Sequence, residues 1–548
     1  MKRCAQNPHG TLPRTRSAGR SRTCGHGRRL GGILLVVLAA LGLPACGARV
    51  APYLGAGAGI GQGGETAVAG SVTGAPKSGS ATAGSPAAVA GSSGGIATSS
   101  TLGSSPGNQA PSPSTTEPSS PAQLTQSNFA FDPATQAGYC TGTTGNTASA
   151  PGVSPTAITF GNVSGVTGPL TGTFGAGYEA VQAAFDGVNA AGGICGRKLD
   201  LLVENDNQDS STNAADIANL IAHPVFAFAG SLSDADNGGV QEMVNAGVPD
   251  IGFALSPARS MAPVYWSLAG GSALYVRNGT AYSSDALMAG QKHFGQFPTR
   301  VALLSYNVPV SQQAGQMFEA LYKYSGASIC YSDFSLSVAS ASLQGDVIEM
   351  ESNHCNGIYT TLDVVGNAKL LQAMQQQNFY PPFYGSTFDT YTPAQIVEAG
   401  QSAAQGFQTT LSFLPLNSSN PVVQLYVSEL HRYEPGKQPS GFGLEDFIGA
   451  QMIIYALVKS GHNPTRASIV KVFRSINDWT VGGAVPPSTA WSRAPNFPGN
   501  QPPMYGLPAA CSLEMVVKGN QFVRDWPAHG FYCGGGYVPI GPASSFGQ

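Results

Sequence analysis

The residues equipped for covalent or acid–base chemistry are scattered along this chain. Beyond the amino-terminal leader the histidines are His223, His293, His354, His431, His462 and His529, far apart and without metal-ligand spacing. There is no Gly-x-Ser-x-Gly nucleophile elbow and no His-Glu-x-x-His pair, so neither a serine hydrolase nor a zinc peptidase is expected. No Cys-x-x-Cys pair occurs that would suggest zinc. Gly59-Ile60-Gly61-Gln62-Gly63-Gly64 has the glycine spacing of a dinucleotide loop. No strand pattern precedes it and no helix pattern follows, so the mechanism behind that motif is missing. What remains is hydroxyls, carboxylates and small residues at the ends of apolar runs, the means of non-covalent binding. The expectation is a binding protein, not an enzyme, with no cofactor and no metal.

The elements that must position those loops follow a strand–helix rhythm. Ile158 to Val163 is an apolar run, followed by a small-residue loop from Thr167 to Phe174 and a helical pattern from Tyr178 to Ala190. Tyr178, Val181, Phe185 and Val188 share one face at helical spacing. Gly192 and Gly193 suit a helix end, and Leu199 to Val203 is the returning strand. Further helices are expected at Asn213 to Ile221 and Gly238 to Ala246, with strands at Val225 to Ala229 and from Val248. Arg300 to Tyr306 starts the rhythm again: helix Ala314 to Tyr324, strand Ala327 to Tyr331, helix Ser342 to Ser352. Strand Gly357 to Leu362, helix Ala368 to Gln376 and strand Phe383 to Gly385 follow. Helices near Asp446 to Lys459 and Ala467 to Ser475 would complete the first half. Leu513 to Val517 and Gln521 to Trp526 read as a hairpin about Gly519-Asn520. The whole is α/β, two doubly wound parallel-sheet lobes.

The chain has 548 residues and a net charge of −3, which argues against a nucleic-acid partner. Only 10% of residues are charged and 71 are glycine, but the composition is split. Residues 1–46 read as an export signal, with arginines before an apolar stretch from Leu30 to Leu43 that is too short to span a bilayer. The stretch ends in Leu43-Pro44-Ala45-Cys46-Gly47, which resembles a bacterial lipoprotein box with Cys46 as the lipidated residue. Residues 47–150 are a Gly/Ser/Ala/Pro/Thr-rich tether, unable to bury enough apolar area to order itself. About 80 such residues reach roughly 50 Å, enough to hold a head clear of a membrane. Of nine cysteines, Cys4 and Cys24 leave with the leader and Cys46 takes lipid. The other six are even in number, which fits an oxidising compartment, and pairs close in chain order are preferred: Cys140–Cys195, Cys330–Cys355 and Cys511–Cys533.

Gly168-Pro169-Leu170-Thr171-Gly172, then Asn189 to Leu199, then Leu201 to Asp209, resemble the amino-terminal lobe of the type I periplasmic binding proteins. Among these are the branched-chain amino-acid receptors of ABC transporters. The resemblance implies a three-crossing hinge, with residues 155–277 and 406–480 in lobe 1 and residues 278–405 and 481–540 in lobe 2. It also implies a ligand cleft between the lobes, at the carboxyl ends of the strands. On that basis Phe174 is an aromatic wall. Ser231, Ser233 and Asp234 stand where such receptors hold a ligand's carboxylate, and Asp234 is alternatively a helix cap. Ala254 and Ser256 match residues binding the polar head, and Asp363, Phe388 and Asp389 match the side that meets an ammonium group. The amino-acid pattern is incomplete, so no particular amino acid is expected. The implied function is capture of a small polar molecule (an amino acid, amide or similar metabolite) for an ABC permease, by a monomeric, membrane-anchored protein on the extracytoplasmic face. The alternative is a ligand-sensing receptor module that uses the same clamp for signalling.

Overall fold

The computed structural model describes residue 140 and residues 142–170, 172–266, 274–476, 479–486 and 510–546. The leader, Cys46 and most of the tether lie outside these, as do residues 487–509.

The first sheet is parallel throughout. It contains β1 (Ala157–Ser164), β2 (Lys198–Asn205), β3 (Phe228–Ala229), β4 (Asp250–Ile251) and β5 (Tyr265–Trp266), in the order β2-β1-β3-β4-β5. Between the strands run α1 (Gly175–Ala190), α2 (Ser210–Ala222), α3 (Val240–Ala246) and α4 (Pro257–Ser260). The stripe read from the sequence explains α1, whose Val181, Phe185 and Val188 are fully buried.

A small antiparallel sheet follows, made of β6 (Tyr275–Arg277), β7 (Thr280–Ser284) and, from far along the chain, β15 (Tyr537–Pro542). After α5 (Ala286–His293) comes the larger sheet. Its parallel part uses β8 (Arg300–Tyr306), β9 (Ser328–Leu336), β10 (Gly357–Thr360), β11 (Phe383–Ser386) and β12 (Gln408–Leu411). Helices α6 (Pro309–Tyr324), α7 (Gln344–Ser352), α8 (Val364–Gln377) and α9 (Pro393–Ala399) connect them. The hairpin β13 (Leu513–Lys518) and β14 (Gln521–Trp526) adds antiparallel strands, giving the order β14-β13-β12-β11-β10-β8-β9.

Three further helices, α10 (Pro421–Tyr433), α11 (Gly441–Ser460) and α12 (Arg466–Ser475), return to the first lobe, where α10 and α11 pack on α1. From Gly441 to Val458 every residue of α11 is buried. Among the described residues it is the one helix long and apolar enough to cross a membrane, but it is enclosed in the core, as a helix apolar on all sides must be.

Three expected boundaries shift. Residues 408–411 belong to the larger sheet and not to the first lobe, because β12 continues its parallel ladder. Tyr275–Arg277 pairs with β7 in the small sheet, whose Ala281 shares a core with Val301 and Leu303 of the second lobe. The tether stops short of residue 150: Thr147 and Ser149 bond Asn463 and the Pro464 carbonyl. Cys140 is bridged to Cys195, and the other two bridges are Cys330–Cys355 and Cys511–Cys533.

Two described segments pass between the lobes, the one after β12 and the one after α12. They are tied together by Leu414 N–H donating to the Ala484 carbonyl at 2.7 Å and Asn420 Nδ2 donating to the Gly482 carbonyl at 2.8 Å.

Candidate functional site

A cavity of about 260 Å³ opens between the carboxyl ends of the two parallel sheets. The first lobe contributes Phe174, at the start of α1, with Asp234, Phe253 and Phe442. The second contributes Tyr306 at the end of β8, Asp363 before α8, and Thr387, Phe388 and Asp389 after β11. Strand ends converge here because in a parallel sheet every strand points its carboxyl end the same way.

An aromatic cluster forms the mouth. The Phe388 ring lies 5.1 Å from Phe253 and 5.1 Å from Phe442, edge to face in both cases, so a second-lobe side chain rests on two from the first. Phe174 flanks Phe442 at 6.3 Å. Each such pair contributes ~0.5–1.5 kcal/mol beyond area burial.

Three carboxylates line the cavity, and no lysine, arginine or histidine does among the described residues. Asp363 accepts from the Tyr306 hydroxyl at 2.6 Å and from Gly366 N–H at 2.9 Å, which makes it the cap of α8. Asp389 accepts from the Thr387 hydroxyl. Burial pushes the Asp389 carboxyl up to about 7, against the Thr387 hydrogen bond, and the Asp363 charge adds to the rise. Burial likewise raises Asp234 to about 7, helped by Asp206, and its Oδ1 has no hydrogen-bond partner. Asp234 caps no helix, since the next one, α3, begins at Val240 with Gly239 before it.

Four expected contacts lie behind the wall instead of on it. Ser231 Oγ accepts from Val163 N–H, and Ser233 Oγ accepts from Ala235 N–H. Ala254 N–H donates to Tyr265 Oη, and Ser256 caps α4 through Arg259 N–H. Beneath these loops sits a buried ionic cluster. Arg259 grips Asp250 with two hydrogen bonds of 2.7 and 2.8 Å and donates to the Ser231 and Phe253 carbonyls. Asp236 accepts from Leu255 and Ser256 N–H. The hydroxyls and small residues there fix the loop backbone, and the loop presents Asp234 and Phe253 to the cavity. Phe253, Tyr306 and Phe442 were not legible as site residues. Phe442 lies far along the chain, and only the position of α11 brings it to the mouth.

Residues 157–505 match the model of a family described as periplasmic binding protein, well over half of the chain. The chain belongs to the periplasmic binding protein family. Its lobes have the type I fold of that family, whose members bind solutes outside the cytoplasm. Solved structures agree on the architecture. A fatty acid ABC transporter substrate-binding protein from Thermomonospora curvata superimposes with a TM-score of 0.56 at 15% identity, covering 72% of this chain and 96% of that one. A possible leucine/isoleucine/valine-binding protein from Rhodopirellula baltica SH 1 gives 0.55 at 14%, covering 68% and 96%. The branched-chain amino acid transporter substrate binding protein LivJ from Streptococcus pneumoniae, in complex with isoleucine, gives 0.53 at 13%, covering 67% and 100%. None of the curated proteins matches this binding protein in sequence. At such identities the solved structures speak for the fold alone.

Proposed function

We propose that this binding protein captures a small molecule in the cavity between its lobes and delivers it to an ABC permease, held at the outer face of the cell membrane by a lipid on Cys46. The observation that supports the reading is the two-sided wall, with Phe174, Asp234, Phe253 and Phe442 facing Tyr306, Asp363, Phe388 and Asp389. A guest touching both sides makes all its contacts only when the lobes are closed, so binding favours closure. The permease then reads the closed shape. A thermal screen against small solutes tests capture: a ligand of the folded state at a hundredfold excess over its Kd adds about 2.7 kcal/mol to stability. Small-angle scattering of the hit should show a more compact particle. A library with no stabilising member, or a hit that leaves the scattering unchanged, would count against capture. Membrane extraction of the wild type and of Cys46→Ser tests the anchor, which predicts that only the former partitions with lipid.

A further inference from the structure

The cavity does not end at the mouth. It continues into the second lobe along one face of α6, whose Val310, Ser311, Ala314, Met317, Phe318 and Leu321 all line it. Those positions recur at helical spacing over twelve residues, about 16 Å of helix. On its other sides the inner part is bounded by Ser283, Leu287 and Tyr359. Leu287, Met317, Leu321 and Tyr359 are all buried, and the Ser283 hydroxyl, also buried, is occupied with Met317 Sδ at 3.1 Å. An amphipathic helix ordinarily spends this face on its own core. Here the face looks onto a mostly apolar void, in whose lining the hydroxyls of Thr361, Thr410 and Ser512 are bonded to Ser305, Glu514 and the Ala286 carbonyl.

We infer that the guest is an amphiphile: its apolar body lies along α6 inside the second lobe, and its uncharged or cationic head sits at the mouth beside Asp234, Asp363 and Asp389. This rests on the capture reading and specifies its ligand class. The absence of any basic side chain from the described lining disfavours an anionic head, since nothing there offsets the charge of a carboxylate.

The test is calorimetric titration of the protein, freed of co-purified lipid by unfolding and refolding, with butylamine, hexylamine, octylamine and decylamine. Decanol, decanoate and leucine are run beside them. Each methylene entering the cavity should tighten binding about fourfold until the space is filled. Decylamine and decanol should both bind at least tenfold more tightly than decanoate. Ala314→Phe, which fills the cavity from a half-buried position, should flatten the chain-length series. Met317→Phe serves the same purpose if the first variant does not fold. Equal affinity along the series, a slope unaltered in a folded variant, or tightest binding by decanoate overturns the assignment. If leucine binds and closes the lobes in scattering while no alkyl compound binds, the amphiphile assignment falls and capture stands. Alkyl binding without closure supports the inner cavity and removes the clamp.

Discussion

Phe388 is the side chain on which closure turns, because its ring leaves the second lobe to rest on Phe253 and Phe442 of the first. Phe388→Ala removes both ring contacts, each ~0.5–1.5 kcal/mol, from a state that exists only when the lobes meet. It should therefore raise Kd for the screened solute about tenfold, read by titration, while the melting temperature of the free protein moves little. An unchanged Kd would mean the rings are not part of the clamp. Arg259 has the opposite profile. Arg259→Met leaves Asp236 and Asp250 buried without their cation and should cost ~3–5 kcal/mol in urea unfolding. The same cluster accounts for Ser231, Ser233, Ala254 and Ser256, whose residue types suit a ligand but whose partners are protein atoms. Hydroxyls and small residues at a strand end suit a turn or cap as well as a ligand, and only the partner atom distinguishes the two. Phe174, Asp234, Asp363, Phe388 and Asp389 could be nominated from strand ends and family position, and all five line the cavity.

At the scale of elements, most helices and strands are legible as amphipathic or apolar runs, and β5 and α10 are among the exceptions. The hairpin of β13 and β14 turns at Gly519-Asn520, the pair that marks it in the sequence. β3 and β4 have two residues each yet lie within the apolar runs expected as strands, Val225 to Ala229 and from Val248, whereas two-residue β5 is too short to show any period. Helix α10 was missed although Asn420 accepts from Val422 and Val423 N–H and Pro421 opens the first turn, a start signal readable from sequence. The interior of the first lobe depends on close approach between α1 and α11. A Cβ on Gly177 would lie 2.6 Å from Asp446 Oδ2 and 2.8 Å from the Gly230 carbonyl oxygen. The second of these is backbone and yields little, so Gly177→Ala should destabilise by ~1–3 kcal/mol in chemical denaturation. A neutral result would show that the two elements separate freely.

Among the described residues there are more buried carboxyl groups than buried cations can balance, and the response to pH follows. Burial raises Asp446 to about 7, against the attraction of Arg259, and raises Glu514 to about 8, against its hydrogen bond from Thr410. Glu445 is also pushed well up by burial. In the unfolded chain these groups ionise near pH 4. Between that value and about 7 to 8 these groups hold more protons in the folded protein than in the unfolded one, so their contribution to stability is fully present below pH 4 and is lost as pH rises through 7 to 8. Urea midpoints should drop from pH 5 to pH 8, a loss of unfolding free energy on the order of a few kcal/mol in total, and Asp446→Asn with Glu514→Gln should flatten the profile. A midpoint that climbs over that range would contradict the assignment.

The first lobe receives the chain at its far end. Cys140 is bridged to Cys195, while Arg197 donates to the Thr147 and His462 carbonyls, just past the last turn of α11. That helix begins at the cavity mouth and is about 30 Å long. The chain thus joins the first lobe at the end of α11 remote from the cavity, apart from both described crossings. A lipid on Cys46, as proposed, would therefore hold the protein by the first lobe and leave the half bearing α6 without an anchor of its own.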